Sequence, residues 1–183
     1  MALTGLATII PLGILNISPA QAQTAIDLTA LQNTALSKHN GYRATHHSGS
    51  ASLSKSLNSS AQAWANQIAS SGNFAHSTGS GNGENLYASY TTKSSIAADT
   101  LANSAVKSWY DEVLKYNYAN PGFSADTGHF TQVVWKSSTK VGCGAAQGTA
   151  TIKGTRYNAF YVVCQYSPAG NVQGNFPANV MKP

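Results

Sequence analysis

Apolar positions recur at helical spacing through the first two thirds of the chain and at strand-like spacing after it. Ile26, Leu28, Leu31, Ala35, Leu36 and His39 fall near one stripe and predict a helix over 23–45. Asp27 stands where it can cap that helix, and Gly41 and the 45–49 cluster close it. Leu57, Ala61, Trp64, Ala65 and Ile68 mark a second helix over 54–71, with Gly72 as its stop. A third is predicted over 95–116, carried by Ile96, Leu101, Ala105, Trp109, Val113 and Tyr116, with Ser95 or Asp99 at its start. Three strand-like runs follow. Residues 129–135 alternate between the faces of a strand, 140–152 are glycine-rich around Cys143, and 157–166 are nearly all apolar or aromatic. The segment Thr149 to Arg156, with Gly154, reads as a hairpin connection. The tail from Ser167 is rich in Pro, Gly and Asn and is expected to wrap the surface. Helices first and strands later indicate one α+β domain with no repeat.

The N-terminal 22 residues carry no charged side chain and end in Ala20-Gln21-Ala22, a small-x-small pattern that reads as a signal peptide with cleavage after 22. The leader lacks the usual basic start, and a buried N-terminal element is the competing reading. The mature region would then be 23–183, secreted to an extracellular or periplasmic space. No apolar stretch is long enough for a transmembrane segment. The net charge of +5 comes from scattered lysines with only two arginines, which argues against nucleic acid as a partner but would favour anionic walls or lipid surfaces. Cys143 and Cys164, the only cysteines, lie in two strand-like runs and are expected to form a disulfide.

The chemistry concentrates in four residues. Glu84 and Glu112 are the only glutamates. Glu84 follows His76 by eight positions across a short Gly/Ser-rich loop, which reads as site-forming. Glu112 sits on the edge of the third helix's apolar stripe, upstream of His129. Two imidazoles and two carboxylates can hold a divalent metal, act as an acid/base cluster, or simply tie a cleft together by hydrogen bonds.

Gly128-His129-Phe130-Thr131-Gln132-Val133-Val134-Trp135 and Tyr161-Val162-Val163-Cys164-Gln165-Tyr166 resemble the two signatures of the CAP superfamily (SCP domain), which covers cysteine-rich secretory, antigen 5 and pathogenesis-related proteins. Gly83-Glu84-Asn85-Leu86, Trp109-Tyr110-Asp111-Glu112 and His39-Asn40-Gly41-Tyr42-Arg43 resemble three further motifs in the same order. The resemblance runs from about Leu36 to the C-terminus. It implies an α-β-α sandwich, with a small antiparallel sheet flanked by helices, in which His76, Glu84, Glu112 and His129 line one central cavity. Unlike many members, this chain has few cysteines and no C-terminal cysteine-rich module.

From these residues the expected cofactor is a weakly held divalent metal, zinc foremost, ligated by His76 and His129. Glu84 and Glu112 would ligate too or orient the imidazoles from behind. The resemblance implies sterol or fatty acid, or cell-surface components, as partners. The aromatic turn with Tyr116, Tyr118 and Phe123 is a candidate lipid-contacting loop, against ordinary packing of a helix-to-strand connection. A non-catalytic binding protein is the favoured class, because H-E-x-x-H and G-x-S-x-G are both absent. Ser77, next to His76, is the one serine placed to be tested as a nucleophile. The alternative is a metal-dependent hydrolase or protease built on the same four residues.

Overall fold

The structure, a computed structural model, describes residues 25–183; the leader reading over 1–22 lies outside the described residues. The elements in chain order are α1 (Leu28–Thr45), β1 (Ser52–Leu53), α2 (Lys55–Ser71), β2 (Gly83–Thr91), α3 (Ala98–Asp111), a 3-10 turn (Glu112–Lys115), α4 (Gly128–Val134), β3 (Lys140–Ile152), β4 (Thr155–Ser167) and α5 (Phe176–Asn179). The four strands lie in the order β1-β3-β4-β2. The three long strands are antiparallel, and the two-residue β1 adds in parallel at the β3 edge. Helices α1, α3 and α4 cover one face of the sheet and α2 the other, giving the α-β-α sandwich.

Local chemistry explains the first two helices. Asp27 caps α1 by accepting from the Ala30 N–H at 3.0 Å. Ser54 caps α2 through the Leu57 N–H, and Gly72 ends it in the left-handed conformation at φ 71°. The third helix is shorter than 95–116. Its cap is Ala97, with no side-chain bond, and Asp99 instead accepts from the Thr34 hydroxyl at 2.7 Å, joining α3 to α1.

Strand alternation sorts the β3 and β4 side chains between two packing regimes. Val141, Cys143, Ala145, Phe160, Val162, Cys164 and Tyr166 face α1, α3 and α4 in a core that includes Trp109, Phe130 and Trp135. On the opposite face, a Cβ on Gly142, Gly144 or Gly148 would collide with the backbone of α2 at Asn58, Gln62 and Ala69. The glycines let that helix lie directly on the strand, and Ala61, Ala65 and Ile68 fill the contact with no exposure. Burying Ile68 alone is worth about 2 kcal/mol. The Cys143–Cys164 disulfide forms as expected, between residues directly opposite in the β3–β4 ladder. The hairpin connection is tighter than 149–156. It is Lys153-Gly154, both at positive φ, and the strands run up to it on either side.

Two assignments are corrected. Residues 129–135 do not form a strand, because Gly128–Val134 is the helix α4. Phe130 to Val134 are all buried, so apolar spacing carries no period there. Its first turn is set by a distant acceptor, described below. The segment after the Gly/Ser loop, left without an element by the sequence, is the edge strand β2, paired with β4 from Gly83↔Tyr166 to Thr91↔Asn158.

Candidate functional site

The four chemistry-bearing residues form two histidine–glutamate pairs. His76 Nδ1 lies 2.9 Å from Glu84 Oε1, and His129 Nδ1 lies 2.7 Å from Glu112 Oε1. A carboxylate only accepts, so each Nδ1 carries a proton, and in the neutral ring Nε2 keeps the lone pair, directed away from the glutamate. Among the described residues, no group of three or more His, Cys, Asp or Glu side chains comes together as a metal site.

Glu84 is a strand residue on the α2 face, opposite Gln165 in the ladder. Its side chain is 5% exposed and accepts from His76, from the Ser77 N–H (2.9 Å) and hydroxyl (2.7 Å), and from Gln165 Nε2 (2.9 Å). Burial pushes its pKa up, but the bonds from His76, Gln165 and Ser77 together outweigh that and hold the carboxyl below its usual range. His76 itself is 60% exposed. The Ser77 proton goes to Glu84, so the serine is not paired with a histidine base as a nucleophile requires.

Glu112 opens the 3-10 turn that ends α3, and it starts a second helix. Oε2 accepts the N–H of His129 (3.0 Å) and of Phe130 (3.1 Å), two of the unpaired donors at the start of α4. The same carboxylate therefore orients the His129 ring and nucleates the helix that carries it.

The two pairs flank the edge strand β2 from its opposite faces. On either side of Glu84, Gly83 packs on the Gln132 amide of α4 and Asn85 Nδ2 donates to the His129 carbonyl at 3.1 Å. Asn85 also donates to the Tyr166 hydroxyl, which lies 2.8 Å from His39 Nε2. Since Asn85 and Glu84 alternate across the sheet, the second pair sits on the α1/α3/α4 face. His39 is fully buried, with Nδ1 on the Ala35 carbonyl at 2.7 Å. Burial pushes its pKa down to about 4 against the Ala35 bond, helped by the charge of Arg43.

Several positioning residues escaped the sequence reading. Gln165 and Asn85 lie in the quoted motifs but had no assigned role. The buried Arg43 binds the Gly49, Val133 and Trp135 carbonyls, tying α1 to the end of α4. His46, in the 45–49 cluster that closes α1, is fully buried and bonds the Met181 carbonyl and the Tyr110 hydroxyl. Only the folded topology shows the two His46 contacts, which cross 135 and 64 positions.

The aromatic turn divides. Tyr116 is buried and stacks edge-on against Phe130, and Tyr118 packs against Tyr116. Phe123 is 59% exposed and Leu114 is 90% exposed. Phe123 and Lys115 line a shallow cavity of about 400 Å³ with Pro121 and Gln173.

Residues 36–166 match the CAP family, described as the cysteine-rich secretory protein family, and the chain belongs to it. It is 42% identical over 147 residues to Protein PRY2 of Saccharomyces cerevisiae, covering 80% of this chain and 40% of that protein. It is 38% identical over 157 residues to the human Golgi-associated plant pathogenesis-related protein 1, covering 82% of this chain and 92% of that one. It thus spans well under half of the yeast relative but nearly all of the human one. Among solved structures, BmVAL-1 superposes with a TM-score of 0.63 at 26% identity, covering 89% of this chain and 87% of that one. NaASP2, solved with Zn2+, superposes with a TM-score of 0.65 at 24% identity, covering 84% and 87%.

Proposed function

We propose that this CAP domain is exported, after loss of residues 1–22, as a non-catalytic binding protein that holds a divalent metal weakly between His76 and His129, around the edge of β2, and contacts lipid through Phe123 of its aromatic turn. The observation that carries the metal reading is the pairing of each imidazole. A carboxylate on Nδ1 fixes the tautomer and leaves Nε2 as a donor, the arrangement that suits a zinc-binding histidine. The donor set fits a borderline-soft ion such as Zn2+, with two protein nitrogens and the remaining positions left to water. Bound there, the ion would supply a positive centre and an exchangeable coordination position. Glu84 and Glu112 serve from behind the rings, because their oxygens are already engaged by N–H and O–H donors. That engagement also weighs against the hydrolase alternative, which needs one of them free to take a proton from water.

Lipid contact would fall to Phe123 and Leu114, the exposed apolar pair, with the Lys115 charge beside them. Buried Tyr116 would support the turn from beneath. Sterol or fatty acid is the ligand class tested.

Zinc titration calorimetry on wild type, His76→Ala, His129→Ala and the double variant tests the metal reading. Weak binding that falls at least tenfold in each single variant and weakens on acidification supports it. Equal binding in wild type and the double variant removes it. Sterol and fatty-acid uptake by wild type and Phe123→Ser separately tests the lipid reading.

A further inference from the structure

We propose that the cavity between α2 and the 77–80 loop, on the sheet face opposite His129, is a binding site for a neutral saccharide. The cavity measures about 440 Å³ and is lined by Ser60, Ala63, Trp64, Gln67, the 77–80 loop and Gln165. None of its lining residues is charged, so the ligand it suits is uncharged.

Glu84 takes up the donors that Ser77 and Gln165 would otherwise offer the cavity. The carboxylate takes the Ser77 hydroxyl proton at 2.7 Å and the Gln165 amide N–H at 2.9 Å. Both donors are spent inward, and Gln165 Nε2 also reaches the Ser77 oxygen at 3.5 Å, which leaves that oxygen one lone pair as an acceptor. Rotating the Gln165 amide would set its oxygen against the carboxylate, so this orientation is fixed. Gln165 is 1% exposed and its Oε1 has no hydrogen-bond partner, a costly state for a buried acceptor. That oxygen is closed to solvent, so the O–H groups of a ligand would meet the hydroxyls of Ser77, Thr78 and Ser80 and not Oε1.

Trp64 supplies the apolar part. Its indole N–H is bound to the Ala75 carbonyl at 3.0 Å, which fixes the ring and leaves no donor on it. A half-buried aromatic surface beside hydroxyls and amides matches a pyranose, which has an apolar C–H face and a rim of hydroxyl donors. The 77–80 loop supplies three hydroxyl side chains, and Gly79, at φ 77°, gives it a bend other residues rarely adopt. Adaptable hydroxyls on a loop facing a fixed aromatic on a helix are suited to sugar hydroxyls that differ in orientation.

The test uses the whole mature chain, with mannobiose, chitobiose and cellobiose as probes at millimolar concentration. Saturation-transfer NMR and ¹⁵N shift mapping are the readouts. At least one disaccharide should receive saturation and shift the Trp64 indole signal together with the Ser77–Ser80 amides. Trp64→Ala should weaken that binding at least tenfold. Ser60→Phe, which plugs the cavity from the partly exposed side of α2 without disturbing the core, should abolish it. His129→Ala, on the other face, should leave it unchanged, which separates this result from failure of the metal reading. Absence of saturation for all three sugars, or binding that survives Ser60→Phe, overturns the proposal. So does a preference for amine-bearing probes over the sugars.

Discussion

The two faces of the sheet solve opposite packing problems, and each carries one histidine–glutamate pair. Toward α2 the strand presents glycines, and a helix backbone lies on a strand backbone. Toward α1, α3 and α4 it presents large side chains that interlock with Trp109, Phe130 and Trp135. The pairs follow their surroundings. Glu84 is a buried anchor for a loop and leaves His76 in water, whereas Glu112 is woven into the backbone of α4 and holds His129 half covered. The same two residue types are thus fixed on one side by donors from a loop and the neighbouring strand and on the other by helix nucleation.

Changes to each face should separate these roles. The largest effect is expected from Gly144→Ala. Its Cβ would fall on the Gln62 and Ala61 backbone, which cannot yield as a flexible side chain would. Chemical denaturation should show a loss of about 3 kcal/mol, while the same substitution at Gly49, which has open space around it, should cost almost nothing.

Acidification tests the aromatic face next. The His39 pKa, about 4 when folded, lies below its ordinary unfolded value. Its contribution is therefore complete above about pH 6.5 and is lost as pH falls toward 4, because the unfolded chain takes up the proton first. Urea unfolding should register a loss of about 3 kcal/mol between pH 7 and 4, and His39→Gln should flatten that slope. Glu84 acts in a lower window. Its contribution is present above the ordinary glutamate pKa and disappears as pH drops through the lowered folded value.

The glutamates themselves should differ. Glu112→Ala removes the acceptor for two helix N–H groups and should cost about 2 kcal/mol, with loss of amide-exchange protection across α4. Glu84→Gln keeps the shape, should cost about 1 kcal/mol, and should leave α4 protected. Equal loss of α4 protection in both variants would erase the distinction.

Much of this was legible in the chain because the signals were local. Asp27 and Gly72 bound their helices through contacts a few residues away, and the 3.6-residue stripes of α1 and α2 each face a single layer. Helix α4 was misread because its start depends on Glu112, 17 positions upstream, and because burial on all sides removes periodicity. Strand β2 was missed for a related reason. Asn85 serves α4 and Glu84 the α2 face, so polar residues occupy both sides of an edge strand. The rarity of glutamate marked the site residues, and motif order marked the family. The pairing of each acid with one histidine depends on how β2 passes α4, which no spacing encodes.

The most direct test is a crystal of the protein grown with zinc, read by anomalous scattering. The account predicts one ion bonded to Nε2 of both His76 and His129 at about 2 Å, with Glu84 and Glu112 still on the Nδ1 atoms. An ion held by only one of these imidazoles, or one that draws a glutamate away from its histidine, would contradict it.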